Sequence, residues 1–300
     1  MDLSADPRVA GLVARLRDLR LTPRREAGGL GVGQHASRSR GAGLEFSQYR
    51  AYEQGDEPRR IDWRLYARSD RYFVRESERE SPATLWLLVD ASASMGEADA
   101  GVPDWSRLDA ARTIAAAMAE CALRQGDRFG LAVLHEEGLR LIAPAQGPRQ
   151  RDRLRLALGA LRADGTFPSP ARLAPLWERI GQRDMVLLIS DCFDPQAVDL
   201  VERLARAGRD VLTLQLLTVA ERDFPFAGGH EFRDPESGDT LLGDGAAMRG
   251  EYLARFAAAQ QALRARLTAA GVRNLTSCLD EPPERALRQL FDPRRAGNGR

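Results

Sequence analysis

The sequence predicts an α/β fold: a doubly wound, mostly parallel sheet with helices on both faces, an N-terminal irregular and partly helical extension, and an inserted β-hairpin. Three observations carry this. From residue 83 onward, short apolar runs of strand length alternate with segments of helix length. Two of the runs, ATLWLLVD and DMVLLISD, stay apolar until a closing Asp, the pattern of strands buried on both faces. Residues 21–80 lack this alternation and are rich in Gly, charge and aromatics instead. The chain therefore divides into an N-terminal helix with a charged and aromatic segment (1–80), a sheet domain (81–280) and a C-terminal tail (281–300).

The elements follow in order. Residues 1–20 read as a helix with Ser4 as its cap, Pro7 in its first turn, and Val9, Leu12, Val13 and Leu16 at helical spacing. The glycines of GGLGVGQHASRSRGAGLEF forbid a regular element there. ATLWLLVD is the first buried strand. RLDAARTIAAAMAECALRQ is an Ala-rich helix that stops at Gly126. RFGLAVLH is a strand, and LRLIAP pairs beside it through a turn near Gly138. RDRLRLALGALRA and SPARLAPLWERIG are helices, the second with a Ser-Pro start. DMVLLISD is a buried strand, PQAVDLVERLARAG a helix, and DVLTLQLL a further strand. HEFRDPESGDTLLGD forms a hairpin around Glu236, Ser237 and Gly238. A long amphipathic helix (246–271), a short strand VRNLTSCL and the tail DPRRAGNGR complete the chain.

A net charge of +1 provides no field to steer nucleic acid or anionic lipid. Every one of the 44 basic residues is Arg. Three scattered cysteines, Cys121, Cys192 and Cys278, fit buried thiols rather than a disulfide framework or a zinc site. The N-terminus lacks a signal-peptide pattern, and no apolar run approaches the roughly eighteen residues of a membrane span. These features predict a cytoplasmic protein.

In an open parallel sheet, ligands sit at the carboxyl ends of the strands, near a topological switch point. Asp90 and Asp191 close two strands and so share that rim. Asp90, Ser92 and Ser94 place a carboxylate and two hydroxyls at alternate positions just past a strand. These are hard oxygen donors, suited with waters to Mg²⁺ or Mn²⁺. Thr166, in a loop before a helix, and Asp191 complete a plausible octahedron. An Asp or Glu of a partner could then replace one water. Ser and Asp after a strand also cap the following helix, and the short motif alone fits either role.

The order D-x-S-x-S, Thr, Asp resembles the metal-ion-dependent adhesion site of von Willebrand factor A domains. The upstream stretch GQHASRSRGAGLEFSQYRAYEQGDEPRRIDWRLYARSDRYFVRESERE resembles the signature of a bacterial family catalogued as domain of unknown function fifty-eight. Its G-x-G-x-E-F, R-x-Y, G-D-x-x-R-x-I-D-W and A-R follow in fixed succession. ALRQGDRFGLAV and VLLISD extend the likeness to residues 30–280. The resemblance implies a von Willebrand factor A-like domain often encoded beside a MoxR-type AAA+ ATPase, and sometimes beside transglutaminase-like membrane proteins. Many relatives carry N-terminal membrane helices that this sequence lacks. The segment GEADAGVPDW (96–105) is an insertion after the motif.

Within RRIDWRLYAR, Arg59, Arg60, Asp62, Trp63 and Arg64 are candidate partner-binding residues, because Trp, Tyr and Arg anchor interfaces. The competing reading is an internal layer of Arg–carboxylate pairs with Trp63 buried, since residues 21–80 carry twelve Arg against ten acids. His35 with Ser37 or Ser39 shows no oxyanion arrangement, and His135 and His230 fit structural roles. The function expected is therefore a metal-dependent protein-binding module rather than an enzyme. A Mg²⁺-dependent hydrolase is one alternative, but phosphatases that begin with a strand-end Asp need a second carboxylate where Ser92 stands. A nucleic-acid-binding protein is the other, opposed by the balanced charge.

Overall fold

The structure, a computed structural model, describes Leu3, residues 6–23, 48–53, 56, 58, 61–76 and 82–292. Ser4, the Gly-rich stretch with His35, Ser37 and Ser39, the candidates Arg59 and Arg60, and the last eight residues lie outside the described residues. The chain forms two compact units, one of Met1–Gly29 with Ala83–Arg300 and one of Leu30–Pro82.

The larger unit is built on a six-stranded sheet in the order β10-β7-β6-β3-β4-β5. Its strands are β3 (Thr84–Asp90), β4 (Arg128–His135), β5 (Gly138–Ala145), β6 (Met185–Ser190), β7 (Asp210–Leu217) and β10 (Arg273–Cys278). β3 pairs in parallel with β4 and β6, β6 with β7, and β7 with β10, whereas β5 runs antiparallel at the edge. This is the doubly wound sheet expected. Winding reverses between β3 and β6, so the switch point lies between the strands that Asp90 and Asp191 close.

Strand alternation divides β3 between two cores. Leu85, Leu87 and Val89 enter one with helices α1 (Pro7–Arg15), α3 (Arg107–Gln125), α4 (Pro148–Gly159) and α9 (Pro283–Leu290). Trp86 and Leu88 enter the other with α5 (Ala174–Arg179) and α6 (Pro195–Arg206). The Ala-rich face of α3 lets that helix lie close to the sheet; residues Ala115–Ala119 are buried. Gly126 ends α3 in the left-handed region (φ +74°), where a side chain would be strained.

Several expectations need correction. α1 belongs with the sheet unit rather than with the charged segment, because Val9, Leu12 and Leu16 bury in the core beside α3. Its cap is Asp6, whose carboxylate accepts from Arg8 N at 2.7 Å. The expected tail contains α9, held by the buried Leu287 and Leu290. The Ser-Pro start at Ser169 makes only a turn, and helix α5 begins at Ala174 with Pro175 in its first turn. The long helix α8 (Gly245–Ala269) forms, but Leu267 is its only fully buried side chain beyond Gly245. The hairpin β8 (Gly229–Arg233) with β9 (Thr240–Asp244) is antiparallel as expected. All three cysteines are free and buried.

In the smaller unit, β1 (Gln48–Ala51) pairs antiparallel with β2 (Phe73–Glu76). Helix α2 (Trp63–Ser69) starts on Asp62, whose carboxylate accepts from Arg64 N at 3.0 Å and Leu65 N at 3.1 Å. Asp62 is buried, whereas Trp63 is 59% exposed, against the expectation that it could be buried. Its ring meets Tyr66 and Tyr72 edge-on, and those two stack at 4.5 Å. Asp62 is thus a helix cap, and Trp63 and Arg64 lie on the surface.

Candidate metal centre

β3 delivers Asp90 to the carboxyl rim of the sheet, and the chain then turns through a short 3₁₀ helix, Ala93–Gly96. Asp90 Oδ1 accepts from Ser92 N at 3.0 Å, which folds the loop back on the strand end. Ser92 Oγ and Ser94 Oγ lie 3.1 Å apart. Asp90 and Ser92 are each 1% exposed and Ser94 6%, so none of them caps an exposed helix end. Ser92 does stand at the N-cap position of the 3₁₀ helix, but its side chain makes no capping bond. The capping role weighed from sequence therefore does not explain these hydroxyls.

Asp191 follows β6 directly. Its Oδ1 accepts from Phe193 N at 3.1 Å, and its backbone carbonyl accepts from Gln215 Nε2 at 2.9 Å. Ser190 links the two carboxylate elements: its hydroxyl donates to Asp90 Oδ2 at 2.6 Å and accepts from Cys192 N at 2.9 Å. Thr166 arrives on a loop stitched to the motif by two backbone bonds, Ala93 N to Gly165 O at 2.8 Å and Asp164 N to Ala91 O at 3.0 Å. Gly165 has φ +62°, and a side chain there would strike Glu136, whose carboxylate accepts from Thr166 N at 3.1 Å. Asp90, Ser92, Ser94, Asp191 and the Thr166 loop thus gather at one rim.

Sequence reasoning missed three participants, Ser190, Arg107 and Glu221. Arg107, only 1% exposed, opens α3 behind the motif. It donates to Ser94 O at 2.6 Å and pairs with Asp191 at 3.2 Å and Glu221 at 2.8 Å. Glu221 lies in α7 (Val219–Asp223) and also closes a capping box with Thr218. The insertion 96–105 buttresses this side: Asp99 accepts from Val219 N and Ala220 N, each at 3.0 Å.

The electrostatics follow from burial. Desolvation, then the nearby charge of Asp191, pushes the Asp90 carboxyl up to about 7, against the hydrogen bonds from Ser190 and Ser92 that pull it down. Asp191 Oδ2 lies within ion-pair distance of Arg107 yet makes no aligned hydrogen bond. Asp191 shares the Arg107 guanidinium with Glu221, so the two rim carboxylates and two hydroxyls form a donor set whose negative charge Arg107 only partly offsets. These hard oxygens fit Mg²⁺ or Mn²⁺ and not zinc. Among the described residues no three His, Cys, Asp or Glu side chains gather to hold a metal, so an ion at this rim would depend on the hydroxyls.

A family described as "Protein of unknown function DUF58" matches residues 48–263. The chain belongs to this family. Similar relatives are uncharacterised proteins of Mycobacterium bovis and Mycobacterium tuberculosis, each 31% identical over 241 residues, covering 78% of this chain and 73% of theirs. Among solved structures, a conserved hypothetical protein BatB from Bacteroides thetaiotaomicron is similar at 12% identity, with 70% of this chain and 97% of that one covered, and a TM-score of 0.43. The SpRpn10 VWA domain is similar at 10% identity, with 73% and 99% covered, and a TM-score of 0.38. Among the described residues of this family member, no helix is long and apolar enough to cross a membrane.

Proposed function

We propose that this protein is a metal-dependent protein-binding module of the von Willebrand factor A type. In this reading Asp90, Ser92, Ser94, Thr166 and Asp191 hold Mg²⁺ or Mn²⁺, directly or through water. The observation that carries it is the convergence of two buried carboxylates and two hydroxyls at the switch point of the sheet, with Asp191 Oδ2 lacking a hydrogen bond. A bound divalent cation would supply an open position for an acidic side chain of a partner. The chain's own residues hold the donors in place: Ser190 fixes Asp90, the Gly165 loop fixes Thr166, and Arg107 restrains Asp191 and the Ser94 carbonyl. Phe193, 46% exposed beside Asp191, offers the partner an apolar contact at the same rim.

The reading is one of binding rather than turnover, because Ser92 occupies the position where a strand-end-Asp phosphatase carries its second carboxylate. By family resemblance the partner is a MoxR-type AAA+ ATPase, for which this chain would act as an adaptor or co-chaperone. The test is affinity capture with the purified protein in Mg²⁺ and then in EDTA. A MoxR-type ATPase retained in Mg²⁺, and lost both in EDTA and with Asp90→Asn, is the expected result. Retention that ignores both changes would overturn the mechanism.

A further inference from the structure

Strand β7 reads DVLTLQLL, and its Gln215 places a bulky amide in a mostly apolar stretch, only 4% exposed. Such a group is costly to bury unless its polar atoms are bonded. In the sheet register Gln215 stands between Ser190 of β6 and Thr276 of β10, so three adjacent strands carry a polar side chain on one row beside the rim. Both ends of the amide are engaged. Its Nε2 donates to the Asp191 carbonyl at 2.9 Å, and its Oε1 accepts from Thr276 Oγ1 at 3.0 Å. A backbone carbonyl can only accept, which turns the amide nitrogen toward Asp191 and leaves its oxygen for the Thr276 hydroxyl.

The next residue shows what this bond resists. Cys192 lies in the left-handed region at φ +58°, a conformation disfavoured for a residue with a side chain and kept only where the surroundings impose it. Two bonds within the turn help to hold it: Ser190 Oγ accepts from Cys192 N at 2.9 Å, and Asp191 Oδ1 accepts from Phe193 N at 3.1 Å. Gln215 adds a restraint from a neighbouring strand, on the carbonyl of the peptide that joins Asp191 to Cys192. Fixing that peptide plane fixes ψ of Asp191 and φ of Cys192, and with them the place of the Asp191 carboxylate. Arg107 approaches the carboxylate itself, 3.2 Å from Oδ2.

We infer that Gln215 is a positioning residue for the metal centre: oriented by Thr276, it locks the Asp191–Cys192 peptide in its strained form and so holds the Asp191 carboxylate at the rim shared with Asp90, Ser92 and Ser94. This rests on the metal-binding reading proposed above. Strand β10, which supplies none of the proposed ligands, thereby takes part in the centre.

The test is calorimetric titration of Mn²⁺ into wild type, Gln215→Met, Thr276→Val, Thr276→Ser, the double variant Gln215→Met with Thr276→Val, and Asp90→Asn, with urea unfolding of each. Gln215→Met nearly conserves volume and removes the donor. It should weaken Mn²⁺ binding roughly tenfold or more, as loss of a group that orients a ligand does. Thr276→Val should weaken binding in the same direction yet add nothing in the Gln215→Met background, because it acts through the amide. Thr276→Ser keeps the hydroxyl and should bind as wild type does. Wild-type affinity in folded Gln215→Met, even with lower stability, while Asp90→Asn still loses binding, would overturn the positioning role and leave the metal site standing. Should Gln215→Met fail to fold, equal affinity in Thr276→Val and Thr276→Ser would overturn it. Mn²⁺ binding that is absent in wild type, or indifferent to Asp90→Asn, would overturn the metal site and the role of Gln215 together.

Discussion

The sheet rim and helix α2 of the smaller unit use similar residue types, Asp, Arg and aromatics, to opposite ends. At the rim, Asp90, Asp191 and Arg107 are each 1% exposed and locked by bonds from elements distant in the chain. Around α2, Asp62 caps its own helix, Arg64 is exposed and Trp63 is 59% exposed. A charged residue matters here according to what desolvates it. Buried in the sheet unit, charges shift one another's protonation and call for a counter-ion. On α2 the guanidinium of Arg64 remains solvated, beside an exposed aromatic side chain.

The largest break in that contrast should come from Arg107→Ala, which leaves buried Asp191 and half-buried Glu221 without their cation. Urea unfolding in EDTA should show a loss of about 3–5 kcal/mol, the usual cost of removing one partner of a buried pair. Added Mn²⁺ should recover part of it, and no recovery would separate Arg107 from the metal.

Removal of metal should make stability depend on pH. The folded-state value of Asp90, about 7, lies above its ordinary 3.8, so the fold favours the protonated carboxyl. The associated stability is complete below about 4 and is lost as pH rises through about 7. Glu221 and Glu236 are raised as well and act with the same sign. Carboxylates held low by arginines, such as Asp18 near 2, change charge below this window. In EDTA the thermal midpoint should therefore fall from pH 5 to pH 8, and Mg²⁺ should flatten the slope.

On α2 the effects should be smaller. Asp62→Ala removes the cap and should cost about 1 kcal/mol, read as faster hydrogen exchange across residues 64–69. Trp63→Ala should change stability by no more than about 0.5 kcal/mol, as an exposed side chain does. A larger loss in urea unfolding would mean that Trp63 packs against more than Tyr66 and Tyr72.

The sheet was legible because β strands advertise themselves: runs such as DMVLLISD and DVLTLQLL match β6 and β7 to within a residue. The strand-end aspartates were legible for the same reason, since parallel strands bring their closing residues to one rim. Arg107 was not. In a chain whose 44 basic residues are all Arg, burial of one depends on a tertiary contact with Glu221, 114 positions away. Ser190 leaves only a faint signal, a lone hydroxyl in an apolar run. The Ser-Pro start at 169 misled because Pro170 favours a turn as readily as a helix.

The proposed binding depends on a divalent cation anchored by Asp90. Its most direct test is calorimetric titration of Mn²⁺ into wild type and Asp90→Asn at pH 8, with circular dichroism to show that both are folded. Saturable single-site binding in wild type that disappears in the folded variant is the predicted result. Equal binding in both proteins, or none in wild type, would contradict it.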